Sequence, residues 1–176
     1  MVTVKYFNCP YVICKLTNHQ EIKNQLLSLI HVEKHSSSIL DMRGSIAKTD
    51  WNIGADVSKK YFQFLQPHLI KCLDPVYKEI LKYPEYKISN YWFQQYQEND
   101  THNWHTHPNS SWANIYYADL SESGPRTEIL SPEDNKTIII PEVSEGDILI
   151  IPAFLTHRSA PNLSNRLKTV IAFNVS

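Results

Sequence analysis

The pattern of short strands in the second half of the chain is the feature that most restricts its fold. From Tyr86 onward, short runs of strand-forming residues alternate with turn-rich segments such as 121–125 and 131–135. The predicted strands span 87–97, 112–119, 126–130, 136–140, 146–152 and 166–175. Many short strands at this spacing favour a β-sandwich or a β-barrel.

The first half has a helical pattern. After an extended segment over 2–16, Asn18 and Glu21 have the spacing of a capping box, and apolar residues at helical spacing predict a helix over 19–31. Residues 33–55 are weakly patterned, with a loop at 36–38. Further helical segments are predicted after Asp56, after Pro67 and after Asp74-Pro75. We therefore expect an α+β, mainly β chain with N-terminal helices packed on one face.

Length, charge and cysteine content limit the classes of protein. The 176 residues suffice for one domain (1–176), with a strand and helical support over 1–85 and a β core over 86–176. A net charge of -1 gives no electrostatic basis for binding nucleic acid or a membrane. The 3 cysteines and the N-terminal sequence, which lacks a signal-peptide pattern, predict a reducing, cytoplasmic location.

Three histidines have the spacing of a metal site. His105 and His107 are two residues apart, so on a strand both side chains would point to one face and could chelate one ion. His157 follows the strand predicted at 146–152 and could supply a third imidazole nitrogen. Three protein ligands leave coordination positions open, as in reactive metal sites. His102 lies three residues before His105, so on a regular strand its side chain would point to the opposite face. We therefore expect His102 in a loop or at the rim of the site.

The segment from Tyr96 to Asn174 resembles the Fe(II)- and 2-oxoglutarate-dependent oxygenases. The resemblance is closest to their prolyl-hydroxylase-like branch and to small phage and bacterial members. It is carried by an ordered set of motifs: His105-Thr106-His107, Ile115-Tyr116-Tyr117, the run Gly146–Pro152 leading to His157, Arg166, and Ala172-Phe173-Asn174. The resemblance implies a double-stranded β-helix (jelly roll) over this half of the chain.

The resemblance also implies roles for individual residues. His105 and His157 would be the two iron ligands common to the family. Arg166 would pair with the distal carboxylate of 2-oxoglutarate, and Tyr117 would donate a hydrogen bond to it. Tyr96 would reach the metal end of this co-substrate.

The implied activity is a dioxygenase reaction. With Fe(II), 2-oxoglutarate and O2, the protein would hydroxylate a substrate and release succinate and CO2. The prolyl-hydroxylase-like branch favours a peptidyl residue of a peptide or protein as the substrate.

One position departs from the family pattern. Most members have a carboxylate where His107 stands, and Asp119 on the following strand is an alternative carboxylate ligand. We favour His107, because its spacing from His105 requires no rearrangement.

Two other classes remain open. A cupin would share the jelly roll and the three-histidine site but would not use 2-oxoglutarate; Ser111, Trp112 and Phe154 break its two motifs. A non-catalytic jelly-roll binding module would leave the histidines without a role.

Overall fold

A computed structural model of the chain describes residues 3, 9–34, 36–53 and 57–176. Two helices precede most of the strands: α1 (His19–His31) and α2 (Lys60–Pro75), the latter continued by a π-helical turn, Val76–Ile80. The strands are β1 (Val12–Lys15), β2 (Ser37–Asp41), β3 (Gly44–Thr49), β4 (Ile88–Tyr96), β5 (Thr101–His105), β6 (Trp112–Asp119), β7 (Thr127–Leu130), β8 (Ile138–Ile139), β9 (Asp147–Pro152), β10 (His157–Ser159) and β11 (Lys168–Val175).

The strands form one curled antiparallel sheet. Its order is β1-β9-β6-β11-β4-β3-β5-β10-β7-β8, with β2 paired to β3. Long β11 lies between β6 and β4, and its whole length is buried. The predicted fold, a mainly β jelly roll with N-terminal helices on one face, is confirmed.

Alternation along the strands gives the sheet two apolar faces. On the outer face, Phe93, Tyr116 and Phe173 pack against helix residues such as Leu26 and Leu65. On the inner face, side chains of the alternate positions form a second core: Tyr96, Ile115, Tyr117, Leu149, Ile151 and Val170. Each large apolar side chain buried in this way contributes about 1.5–3 kcal/mol. Strands apolar on both faces are those covered on both sides.

The helices differ from the sequence prediction in detail. The prediction of α1 is confirmed, but the Asn18 side chain caps nothing and its amide donates to Nδ1 of His68 instead. Pro67 lies inside α2, where the burial of residues such as Leu65 and Leu69 against the sheet offsets the lost hydrogen bond. Asp56 lies outside the described residues, and Lys59 precedes the first turn of α2.

Residues 33–55 contain a hairpin that the sequence did not predict. Strands β2 and β3 form it, and β3 also pairs with β4 and β5. The first half of the chain therefore contributes strands β1, β2 and β3 to the sheet as well as helices. None of the helices in the described part of the chain is long and apolar enough to cross a bilayer.

Candidate metal centre

Three histidine side chains meet inside the curled sheet. His105 ends β5, His107 lies two residues beyond it, and His157 begins β10. Strand pairing sets His157 directly opposite His105, and the backbone N–H of His107 donates to the carbonyl of Ala153. One ring nitrogen of each histidine lies within 4.8 Å of those of the other two. These residues therefore fit a single metal ion.

Hydrogen bonds fix the tautomers of these three rings. The Nδ1–H of His105 donates to the carbonyl of Asn103 (2.7 Å), and that of His157 donates to the carbonyl of Leu155 (2.9 Å). The Nδ1–H of His107 donates to Oδ1 of Asn174 (2.5 Å). With the proton on Nδ1, each ring keeps the Nε2 lone pair for a metal, and the acceptor orients the ligand.

Burial keeps these imidazoles neutral. It lowers the pKa of His105 to about 4, with a further contribution from neighbouring His107. Burial also lowers the pKa of His107 and lowers the pKa of His157 well below its ordinary value. Neutral imidazole is the form that binds transition metals such as iron and zinc.

His102 lies beside this cluster and not in a loop. Its ring stacks on that of His105 at a centroid distance of 3.9 Å. Strand β10 explains the position, because His157 pairs with His105 while Ser159 pairs with His102. Between these two pairs, one residue of β10 opposes two residues of β5. This β-bulge brings His102 and His105, three positions apart, to one face of the sheet. The expectation that His102 lies in a loop or at the rim was therefore wrong.

A buried lysine lies in the same cavity as the histidines. Lys168 is 2% exposed, and its Nζ donates to Oγ of Ser159 (2.8 Å). The Nζ atom lies 5.1 Å from the ring centroid of Tyr96 and 5.8 Å from that of Tyr117. Burial, together with the charge of Arg126, lowers the pKa of Lys168 to about 7. No carboxylate pairs with this amine among the described residues.

Arg166 does not reach the cavity. Its side chain is exposed, in the turn that precedes β11, where the backbone N–H of Arg166 donates to Oγ of Ser164. Strand β11 begins at Lys168, whose side chain shares the inner face with those of Val170 and Ala172. Arg158 also lines the cavity, but its guanidinium pairs with Glu128 at 2.7 Å. Lys168 is thus the lining cation without a carboxylate partner among the described residues, and Arg166, contrary to our expectation, lies outside the cavity. Alternation along β11 was the signal that could have identified Lys168.

The other predicted residues are divided between the cavity and its surroundings. Tyr96 lines the cavity, and its hydroxyl donates to Oε1 of Gln94 (3.0 Å). The Tyr117 hydroxyl shares a 2.7 Å hydrogen bond with Oγ1 of Thr127, which itself lines the cavity. Burial raises the pKa of Tyr117 to about 12, so the hydroxyl keeps its proton.

Asp119 is not brought to the histidines. Its carboxylate pairs with Lys23 of α1 at 2.9 Å. Among the described residues, the possible metal ligands that come together at the site are the three histidines, and Asp119 is not one of them. Because Asp119 is held by this ion pair, His107 is the third side chain that joins His105 and His157.

Fold and site together define a jelly-roll protein with a buried cation and a cluster of three histidines that could hold a metal ion. Residues 90–174, a little under half of the chain, match the family model described as "Putative 2OG-Fe(II) oxygenase". The resemblance to the 2-oxoglutarate oxygenases is thereby confirmed. No curated protein sequence matches the chain significantly.

Solved structures with this fold include several 2-oxoglutarate oxygenases. A 2OG-Fe(II) oxygenase family oxidoreductase from Burkholderia pseudomallei aligns with a TM-score of 0.75 and 9% identity, over 94% of this chain and 85% of that one. A prolyl-4-hydroxylase from Pseudomonas putida aligns with a TM-score of 0.66 and 8% identity, over 96% and 92% of the chains.

A third solved structure has a different named reaction. SnoN, a non-heme alpha-ketoglutarate-dependent epimerase from nogalamycin biosynthesis, gives a TM-score of 0.67 and 11% identity over 96% and 78% of the chains. At these identities the likenesses establish the fold. Together with the family match, they support a 2OG-Fe(II) oxygenase and leave the reaction and the substrate to be inferred.

Proposed function

We propose that this protein is an Fe(II)- and 2-oxoglutarate-dependent oxygenase. The observation that carries the proposal is one cavity lined both by three metal-competent histidines and by a buried, unpaired lysine. A cupin-type metal protein or a binding module would have no use for that lysine, whereas a dicarboxylate co-substrate needs a cation at its far end.

The three histidines would bind the metal and leave room for the co-substrate. His105, His107 and His157 would hold Fe(II) through Nε2, and 2-oxoglutarate would bind at the open positions. Fe(II), when bound, supplies the oxidative chemistry with O2 and the co-substrate, yielding succinate and CO2. Because three imidazoles bring no negative charge, the co-substrate's own carboxylate would be the anion nearest the metal.

Lys168 would hold the distal carboxylate of 2-oxoglutarate. Its Nζ lies 5.1 Å and 5.8 Å from the ring centroids of Tyr96 and Tyr117, and the residue is almost fully buried. In the free protein this amine is half-charged near neutral pH, and a carboxylate partner would stabilise the charged form. Tyr117 and Thr127 would complete the polar lining next to Ser159, which pairs with Thr127 between β10 and β7.

We further propose that the reaction is hydroxylation and that the substrate is a peptidyl residue. Structural neighbours support this choice: the bacterial prolyl-4-hydroxylase above, and a Trichoplax adhaerens prolyl hydroxylase solved with a peptide fragment. A cleft beside the metal centre, bordered by Trp51, Trp92 and Pro108, offers aromatic and polar surface for such a segment.

Two variants of neighbouring basic residues test the co-substrate assignment. Succinate formation from 2-oxoglutarate is measured with Fe(II) in air for Lys168→Met and Arg166→Met. Removing one partner of a buried ion pair costs about 2–5 kcal/mol, so Lys168→Met should raise KM for 2-oxoglutarate about thirtyfold or more. Arg166→Met, on the exposed turn, should stay within about twofold.

The opposite result, with Arg166→Met impaired and Lys168→Met unaffected, would refute the assignment of Lys168. Absence of Fe(II)-dependent succinate from the unaltered protein would refute the oxygenase. Reaction of peptides under isotopically labelled O2 tests the finer proposal, since hydroxylation incorporates one labelled oxygen atom and epimerisation incorporates none.

A further inference from the structure

A hydrogen-bond relay crosses the cavity wall and ends at His102. The Gln94 amide accepts a hydrogen bond through Oε1 from the hydroxyl of Tyr96 at 3.0 Å. The amide nitrogen of Gln94 therefore faces Nδ1 of His102, 3.3 Å away. Beside Tyr96, Nζ of Lys168 lies 5.1 Å from the Tyr96 ring centroid and donates to Oγ of Ser159 at 2.8 Å.

The relay gives His102 the opposite tautomer to its three neighbours. Because the Gln94 amide is a donor, Nδ1 of His102 must accept, and the ring proton must lie on Nε2. In His105, His107 and His157 the Nδ1–H donates to an oxygen, which leaves Nε2 bare. The cluster thus contains three ligand-type imidazoles and one donor-type imidazole.

The Nε2–H of His102 has no acceptor among the described residues. The ring is only 4% exposed and lines both the lysine cavity and the adjoining cleft. Its Nε2 is not one of the polar atoms that are both fully buried and without a hydrogen-bond partner. This ring is nearly buried and stacks on His105 at 3.9 Å, so an N–H without a partner here calls for an acceptor from a bound molecule.

We propose that His102 is a positioning residue that donates its Nε2–H to the 2-oxo acid end of 2-oxoglutarate. This inference rests on the proposed function. The carboxylate at that end is the strongest acceptor that the proposed function brings next to His105, and a bond to it is charge-assisted. Gln94 and Tyr96 act through His102, because they hold its tautomer. His102 is consequently not a fourth metal ligand.

The first test reads the tautomer of His102 in the full chain without metal. A long-range proton–nitrogen correlation spectrum distinguishes bare from protonated ring nitrogens. The set of cross-peaks that disappears in His102→Gln belongs to His102. His102 should have a bare Nδ1 and a protonated Nε2. Gln94→Glu replaces the donor by an acceptor, so Nδ1 should become protonated there. A protonated Nδ1 in the unaltered protein would overturn the proposal.

The second test measures binding, with the visible band of the anaerobic Fe(II)–2-oxoglutarate complex as the readout. His102→Phe keeps the ring stack and removes the N–H, so 2-oxoglutarate should bind about tenfold or more weakly. Fe(II) affinity should not change. His102→Gln, whose amide can donate from a similar position, should recover part of the loss.

The outcomes separate this inference from the proposed function. Unchanged 2-oxoglutarate affinity in His102→Phe would overturn the donor role. Loss of Fe(II) affinity to the level of His157→Ala would make His102 a ligand and overturn it as well. If the unaltered protein gave no band, the oxygenase proposal itself would fail, and the tautomer spectrum would still test the relay.

Discussion

At the scale of single residues, the site is defined by where protons lie. Three imidazoles donate from Nδ1 to oxygen acceptors, and each acceptor comes from a nearby carbonyl or from Asn174. The sequence could predict that His105 and His157 come together, since the motifs fix their order. It could not predict the acceptor of His107, because Asn174 is 67 residues away and meets it only in the folded sheet.

Lys168 gives 2-oxoglutarate binding a defined pH dependence. Its pKa in the free protein is about 7, lowered by burial and by the charge of Arg126, while the complex requires the charged amine. Above about pH 7, binding must take up a proton, so affinity should fall by up to tenfold per pH unit. Below that pH the amine is already charged, and affinity should level off.

Calorimetry in buffers of different ionisation enthalpy measures this proton uptake directly. Lys168→Arg is the control, because a guanidinium stays charged and should remove the slope above neutral pH. Affinity of the unaltered protein that stays constant from about pH 7 to about pH 9 would contradict the role of Lys168.

At the scale of elements, the long strands of the second half were predictable, and so were short β7 and β8, but β5 and β10 were not. Strand β6 was predicted with its observed bounds, 112–119, and β11 to within two residues at its start. The strands β5 and β10, of 5 and 3 residues, escaped prediction because their pairing is tertiary and interrupted by a bulge. His102, His105 and His157 all lie on these two short strands. The sequence pattern that predicts strands is therefore weakest at the candidate site.

Gly44 tests how closely the hairpin and the histidine strand are coupled. It pairs with His102 and has a φ of +133°, and an added Cβ would meet the carbonyl oxygen of Thr101 on β5. Gly44→Ala should therefore lower the free energy of unfolding by about 1–3 kcal/mol. It should also weaken Zn(II) binding, since β5 must move.

Urea unfolding and a Zn(II) titration measure the two effects of this substitution. Gly124→Ala is the control, because the first atom that its Cβ meets is a terminal methyl of the Leu120 side chain and not a backbone atom. Equal loss of stability in both variants, with Zn(II) affinity unchanged, would show that the hairpin does not constrain β5.

At the scale of the whole molecule, one sheet serves two purposes. Its outer face packs on the helices, and its inner face holds the three-histidine cluster and Lys168. The sequence predicted the layers correctly, because alternation and helical periodicity are local patterns. It did not predict that β1 and β3 from the first half would complete the sheet, since that pairing depends on contacts distant in sequence.

The most direct test of this account is an anaerobic Fe(II) titration with and without 2-oxoglutarate, followed by visible absorption. We expect a band only when metal and co-substrate are both present. It should be absent in His157→Ala and should require far more 2-oxoglutarate in Lys168→Met. Metal binding with no response to 2-oxoglutarate would contradict the account and indicate a cupin-type metal protein.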